Sequence, residues 1–229
     1  MKFKPSYTSS IAEDIMAERL IRAQAVEFLA DAPMRLKSGL ISPVYVDNRK
    51  LFSHPEAWRD IVETMASRVE EYDLEFDIVA GVEAAGSMHA AALAYRLGLP
   101  AIMVRQKAKT YGNHSRIEGG DVKGMRVLLL EDHISTGLSC LDAIRALRGE
   151  GAQVTQVMSI TNYAIPETQR LFKQEDIDTY DVIAFEKVVR KAKEMGVIDD
   201  EHEKLVLEWL QTPWTWAAMH GVVASAIEN

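Results

Sequence analysis

The sequence predicts an α/β fold: a doubly wound, mainly parallel sheet flanked by helices, with a small N-terminal hood and a C-terminal helical extension. Three observations carry this expectation. Short apolar runs alternate with segments of helical periodicity through the middle of the chain. Val127-Leu128-Leu129-Leu130 is apolar at every position, as a strand covered on both faces must be. Polar loops rich in small residues then follow several strands and open helices, the place where open α/β sheets bind ligands.

Taken in order, Ile11 to Leu29 carries Ile15, Leu20, Ile21, Ala25, Phe28 and Leu29 at helical spacing and is expected to form one or two helices. Met34 to Gly39 and Pro43 to Asp47 read as two strands around a glycine-containing turn. A helix from about Pro55 to Tyr72 presents Ile61, Met65, Ala66 and Val69 on one face. The alternation continues with strand Asp77 to Val82, helix Met88 to Leu97, strand Ala101 to Val104, strand Arg126 to Leu130, helix Leu141 to Gly149 and strand Gln153 to Ile160. Ile177 to Ile183 adds a short strand, and Phe185 to Glu194 a helix stopped by Gly196. Asp199 caps a further helix through Leu210. Three of the four tryptophans lie between Trp209 and Trp216, so this segment either packs back on the core, the simpler reading, or meets a second copy of the chain. One domain is expected over residues 1–229, with the first helices and hood in 1–50, the α/β core in 51–183 and C-terminal helices in 184–229.

Composition narrows the function. A chain of 229 residues can bury a full core, and with 48% hydrophobic and 26% charged residues it reads as globular. No apolar run approaches the roughly 20 residues of a membrane span, and the first residues lack the apolar core of a secretory signal. The single cysteine, Cys140, cannot form an internal disulfide, so a cytoplasmic location is expected. Beside a hydroxyl-rich loop it could be a nucleophile, but a small residue packed in a helix is the better reading. A formal net charge of −8 argues against nucleic acid as a partner. Any anion site must be local.

Four segments could build one. After Val127 to Leu130 come Glu131 and Asp132, then the small and hydroxyl residues Ser135, Thr136, Gly137, Leu138 and Ser139. Backbone N–H groups and dipole at that helix start attract phosphate, whereas the two carboxylates repel it and suit sugar hydroxyls. Gly81 to Ser87 likewise joins a strand to a helix, so Ala84, Ala85, Gly86 and Ser87 could cradle a diphosphate. Arg105, Lys107 and Lys109 begin a basic loop that could close over a charged leaving group. Leu36-Lys37-Ser38-Gly39 places one lysine before a tight turn. Alone, the acidic pair could be an ordinary strand-to-helix turn and the basic loop a solvated one.

Together, in this order, the motifs resemble the type I phosphoribosyltransferases, which bind 5-phosphoribosyl-1-diphosphate (PRPP). The strings LKSGxxSP, RxxAK leading to IEG, and the acidic-pair strand are similar to those of orotate phosphoribosyltransferases over most of Leu20 to Ile198. The resemblance implies a pentosyltransferase of pyrimidine nucleotide biosynthesis, converting orotate and PRPP to orotidine 5′-monophosphate and diphosphate. It implies Mg²⁺ held mainly through PRPP rather than by protein ligands, and a homodimer with shared active sites. By matching position, Glu131 and Asp132 would hold the ribose, Ser135 to Ser139 the 5-phosphate, and Ala84 to Ser87 the diphosphate. Arg105 and Lys109 would grip the diphosphate and, with Asp132, carry catalysis. Lys37, Tyr45, Ser135 and Asn162 would lie near the base. The chain departs from the family at His133, usually apolar, and at Gln106 and Tyr111, where a basic residue and a histidine are usual. Asn162 stands near the place of an Asp-Arg pair whose arginine binds the orotate carboxylate. Those departures leave two alternatives, a transferase for another nucleobase and a PRPP sensor without turnover.

Overall fold

The computed structural model describes residues 9–108 and 115–222. Its first helix, α1 (Ser9–Arg22), stops short of the expected span, because Gln24 takes a left-handed φ of 54° and releases the chain. Ala25, Phe28 and Leu29 therefore leave the helix, and Val26–Phe28 forms β1, which pairs antiparallel with β4 (Val44–Val46). Between them β2 (Met34–Arg35) pairs with β3 (Ile41–Ser42). Pro43, which has no N–H to donate, separates β3 from β4, so the strand expected from Pro43 begins at Val44. These two small ladders are the hood. A 3₁₀ turn at Asn48–Ser53 then leads into α2 (Pro55–Glu71), whose first-turn proline loses no helical hydrogen bond.

The core elements follow the expected order: β5 (Ile78–Val82), α3 (Ala85–Leu97), β6 (Ala101–Val104), β8 (Arg126–Ile134), α4 (Leu138–Gly149), β9 (Gln153–Asn162), β10 (Asp178–Ala184) and α6 (Phe185–Glu194). Of these, α3, β8, α4 and β9 run longer than expected, β5 begins one residue later and β10 is shifted by one. Two further elements lack a clear sequence pattern. β7 (Ile117–Glu118) pairs antiparallel with β6 in a stretch that is polar in sequence. α5 (Pro166–Gln174) buries only Thr168 and Phe172, too sparse a stripe to read as periodicity. α7 (Asp200–Gln211) is capped as expected, the Asp199 carboxylate accepting from His202 N, and α8 (Trp216–Met219) follows.

The main sheet has the order β10-β9-β8-β5-β6-β7, with every neighbouring pair parallel except β6 and β7. Alternate residues of each strand enter opposite cores. Leu128, Leu130, Met158 and Ile160 face α1, α2, α3, α6 and α7, while Val127, Leu129, Val154 and Val157 face α4 and α5. The strand order reverses between β5 and β8, and their carboxyl ends open a crevice there. Trp209 and Trp216 are both fully buried in the first core, so the tryptophan-rich segment packs largely within the chain itself. Trp214, in contrast, is 54% exposed. No described helix is long and apolar enough to cross a membrane.

Candidate active site

β8 does not end at Leu130 but continues pairing with β9 through Ile134, so the acidic pair is held by a ladder rather than by a loop. Glu131 is 7% exposed and its Oε1 accepts from the Asp132 N–H at 3.1 Å. The Asp132 carbonyl accepts from Asn48 Nδ2 at 2.7 Å, which ties the 3₁₀ turn of the hood to the sheet. Asn48 Nδ2 also donates to Thr161 Oγ1 at 3.2 Å, and His133 Nδ1 meets the same hydroxyl at 2.9 Å. Burial, and then the neighbouring Asp132 carboxylate, push the Glu131 carboxyl well above its ordinary range. Burial raises Asp132 as well. Burial also draws His133 down to about 3, so this imidazole is neutral at physiological pH.

The turn after β8 requires its glycine. Gly137 has φ 73°, and a Cβ there would lie 2.8 Å from Thr168 Cγ2 and 3.0 Å from the Phe172 ring, so α5 seats the loop from behind. Thr168 Oγ1 donates to the Ser135 carbonyl at 3.3 Å. α4 begins without a side-chain cap, which leaves its first N–H groups for an anion. Cys140 is 1% exposed, and burial pushes its thiol well above the ordinary range, as befits a packing residue rather than a nucleophile.

Across the cleft, the β5 to α3 loop approaches through two glycines. A Cβ on Gly81 would fall 2.4 Å from Ser87 Cα, and one on Gly86 would fall 2.7 Å from the Leu130 carbonyl. Ser87 Oγ donates to the Gly81 carbonyl at 3.1 Å. Ala84 and Ala85 line the cleft, whereas Gly86 and Ser87 serve the packing behind it. Gln106 explains its own departure from a basic residue: its Nε2 donates to the Glu83 carbonyl and its N–H to Glu83 Oε2, each at 3.1 Å, clamping this loop to β6.

The cleft has a volume of about 450 Å³ and joins a second cavity of about 340 Å³. Glu131, Asp132, Ala84 and Ala85 line the first alone, whereas Lys37, Tyr45, Ser135, Thr136, Leu138 and Ser139 line both. Most of the residues expected from the sequence are thus brought together. Two are not. Arg105 lies outside the lining, with Nη1 paired to Glu118 Oε1 at 3.0 Å in the β6–β7 ladder. Asn162 is 2% exposed and lines neither cavity, because its Oδ1 accepts from Ala164 N at 2.8 Å. Lys109 and Tyr111 lie outside the described residues.

The residue that faces the second cavity is instead Tyr163, with His133 standing edge-on at 4.2 Å between ring centroids. Successive residues of an extended chain point to opposite sides, so an inward Tyr163 and a capping Asn162 are one geometric fact. The Tyr163 hydroxyl donates to the Val44 carbonyl at 3.3 Å, and Trp209 packs edge-on at 4.9 Å behind it. Asp47 and Arg49, to which the sequence assigns no role, also line the first cavity.

Comparison with known proteins shows the family and the fold. Residues 47–197 match the family described as the phosphoribosyl transferase domain. The chain is 41% identical over 201 residues to the orotate phosphoribosyltransferase of Coxiella burnetii, covering 88% of this chain and 96% of that protein. It is similar in structure to the orotate phosphoribosyltransferase of Aeropyrum pernix, with a TM-score of 0.68 and 26% identity over 80% of this chain and 99% of that one. A crystal structure of Mycobacterium tuberculosis orotate phosphoribosyltransferase in complex with PRPP is also similar, with a TM-score of 0.60 and 26% identity over 77% of this chain and 98% of that one.

Proposed function

We propose, because this chain belongs to the phosphoribosyltransferase family and to its orotate phosphoribosyltransferase members, that its two joined cavities bind PRPP and orotate side by side. The protein is a pentosyltransferase that makes orotidine 5′-monophosphate and diphosphate in pyrimidine biosynthesis. The observation that carries the site assignment is the shared lining. Ser135, Thr136, Leu138 and Ser139 border both cavities, so a phosphate anchored at the start of α4 would leave the ribose beside Asp132 and its anomeric carbon facing the second cavity.

In this reading Glu131 and Asp132 accept from the ribose hydroxyls, and the Ala84–Ala85 backbone holds the diphosphate. A ring nitrogen of orotate bonds to the anomeric carbon as the bond to diphosphate breaks, through an oxocarbenium-like transition state. Lys109 is proposed to grip the leaving group from its basic loop, while Arg105 would have to leave Glu118 to join it. Mg²⁺ bound with PRPP would supply charge neutralisation for the departing diphosphate. The donor set suits a hard cation, since Glu131 and Asp132 put carboxylate oxygens in the lining of the first cavity. We further propose a cytoplasmic homodimer with shared sites, supported by the resemblance of the Arg105 to Gly120 segment to loops that cross a subunit boundary. A monomer mass in sedimentation equilibrium would refute the dimer.

Recognition of the orotate carboxylate falls to Lys37, the one cation among the described residues lining the second cavity. Lys37→Ala is expected to raise the KM for orotate more than that for PRPP. Losing a charge-assisted hydrogen bond costs about 1.5–3 kcal/mol, roughly tenfold to hundredfold in affinity. Steady-state kinetics with each substrate varied decides the point, and equal KM values for orotate in mutant and wild type would remove Lys37 from the base site.

A further inference from the structure

Among the described residues, the lining of the first cavity carries little positive charge for the ligand it is assigned. Among its described lining residues are four carboxylates, Asp47, Glu83, Glu131 and Asp132, and two cations, Lys37 and Arg49. Lys37 borders both cavities and serves the base side. Arg49 borders the first alone, sharing it with Glu83, Ala84 and Ala85, and it stands in the cleft that Arg105 does not line.

Its setting differs from that of an ordinary surface arginine. The guanidinium is clamped by Asp47, with Nε 2.6 Å from Oδ1 and Nη2 2.9 Å from Oδ2, and Asp47 Oδ1 also accepts from the Arg49 N–H at 3.1 Å. Burial alone would push the Asp47 carboxyl up, but these hydrogen bonds hold it below its ordinary range, so it stays charged and keeps the fork in place. The Arg49 side chain remains 61% exposed. A guanidinium has five N–H donors, and the Asp47 clamp engages only two. The rest are available to a phosphoryl oxygen. Fixing the planar fork beforehand lowers the entropy lost when it binds an anion.

We propose that Arg49 is a binding residue for the diphosphate end of PRPP and that Asp47 is its positioning residue. The proposal rests on the assignment of the first cavity to PRPP. Arg49 lines the first cavity together with Ala84 and Ala85 and does not line the second, which favours a diphosphate role over one at the base.

Calorimetry on the full chain with Mg²⁺ compares PRPP, inorganic diphosphate and orotidine 5′-monophosphate, which carries a 5-phosphate but no diphosphate. Arg49→Ala should weaken PRPP and diphosphate roughly tenfold to hundredfold and leave the monophosphate within about twofold. Arg49→Lys, which keeps the charge without the planar fork, should recover part of the loss. Unchanged diphosphate affinity in Arg49→Ala, or an equal loss for the monophosphate, overturns the role of Arg49 while the PRPP assignment stands. Wild-type protein that binds neither PRPP nor diphosphate overturns both.

Discussion

Replacing Trp209 with alanine is expected to destabilise the protein by about 3–5 kcal/mol, the usual cost of emptying a buried aromatic site. Trp209 is fully buried, its Nε1 donates to the Ile41 carbonyl at 2.8 Å, and its ring backs Tyr163. The variant therefore leaves a cavity between α7 and the sheet and deprives a hood carbonyl of its partner. At this chain length each kcal/mol moves the midpoint by about 2–4 °C, so calorimetric melting should fall by roughly 6–20 °C. Trp209→Phe should recover much of the packing and none of the hydrogen bond. The hood carries Lys37 and Tyr45, so a milder variant that still folds should also raise the KM for orotate. A loss under about 1 kcal/mol for the alanine variant would show that α7 does not brace the hood and the sheet.

The second large effect is expected at Asp132. Asp132→Asn preserves shape and the main-chain contact with Asn48, but it replaces one of two acceptor oxygens with a donor and removes the charge. Binding of Mg²⁺-PRPP should weaken roughly tenfold to hundredfold, the equivalent of one charge-assisted hydrogen bond. Calorimetry measures this directly. Unchanged affinity would take the acidic pair out of the ribose site.

Much of this arrangement is legible in the sequence where a local pattern and its tertiary role coincide. Val127 to Leu130 is apolar because both faces of β8 are covered, and Glu131 and Asp132 follow where the strand reaches the crevice. Gly137 is required both by its φ and by the Phe172 ring behind it. What escapes a sequence reading depends on contacts remote along the chain. Val26–Phe28 reads as the end of a helix until Val44–Val46 is there to pair with it. Asn162 and Tyr163 are adjacent, and only the register of β9 against β8 decides which of them turns towards the cavity. Arg105 suits a diphosphate by residue type, yet Glu118 captures it across the β6–β7 ladder. His133 interrupts an apolar pattern because Thr161 supplies a hydrogen bond on the facing strand.

If the two cavities join PRPP to orotate although neither Asn162 nor Arg105 lines them, diphosphate release by the wild-type protein will show it. The substrates to compare are Mg²⁺-PRPP with each of orotate, uracil, adenine and hypoxanthine. Release should depend on orotate and on Mg²⁺, with orotidine 5′-monophosphate formed in equal amount. Release with uracil or a purine but not with orotate would contradict the assigned base. No release with any base, despite tight PRPP binding, would contradict catalysis itself.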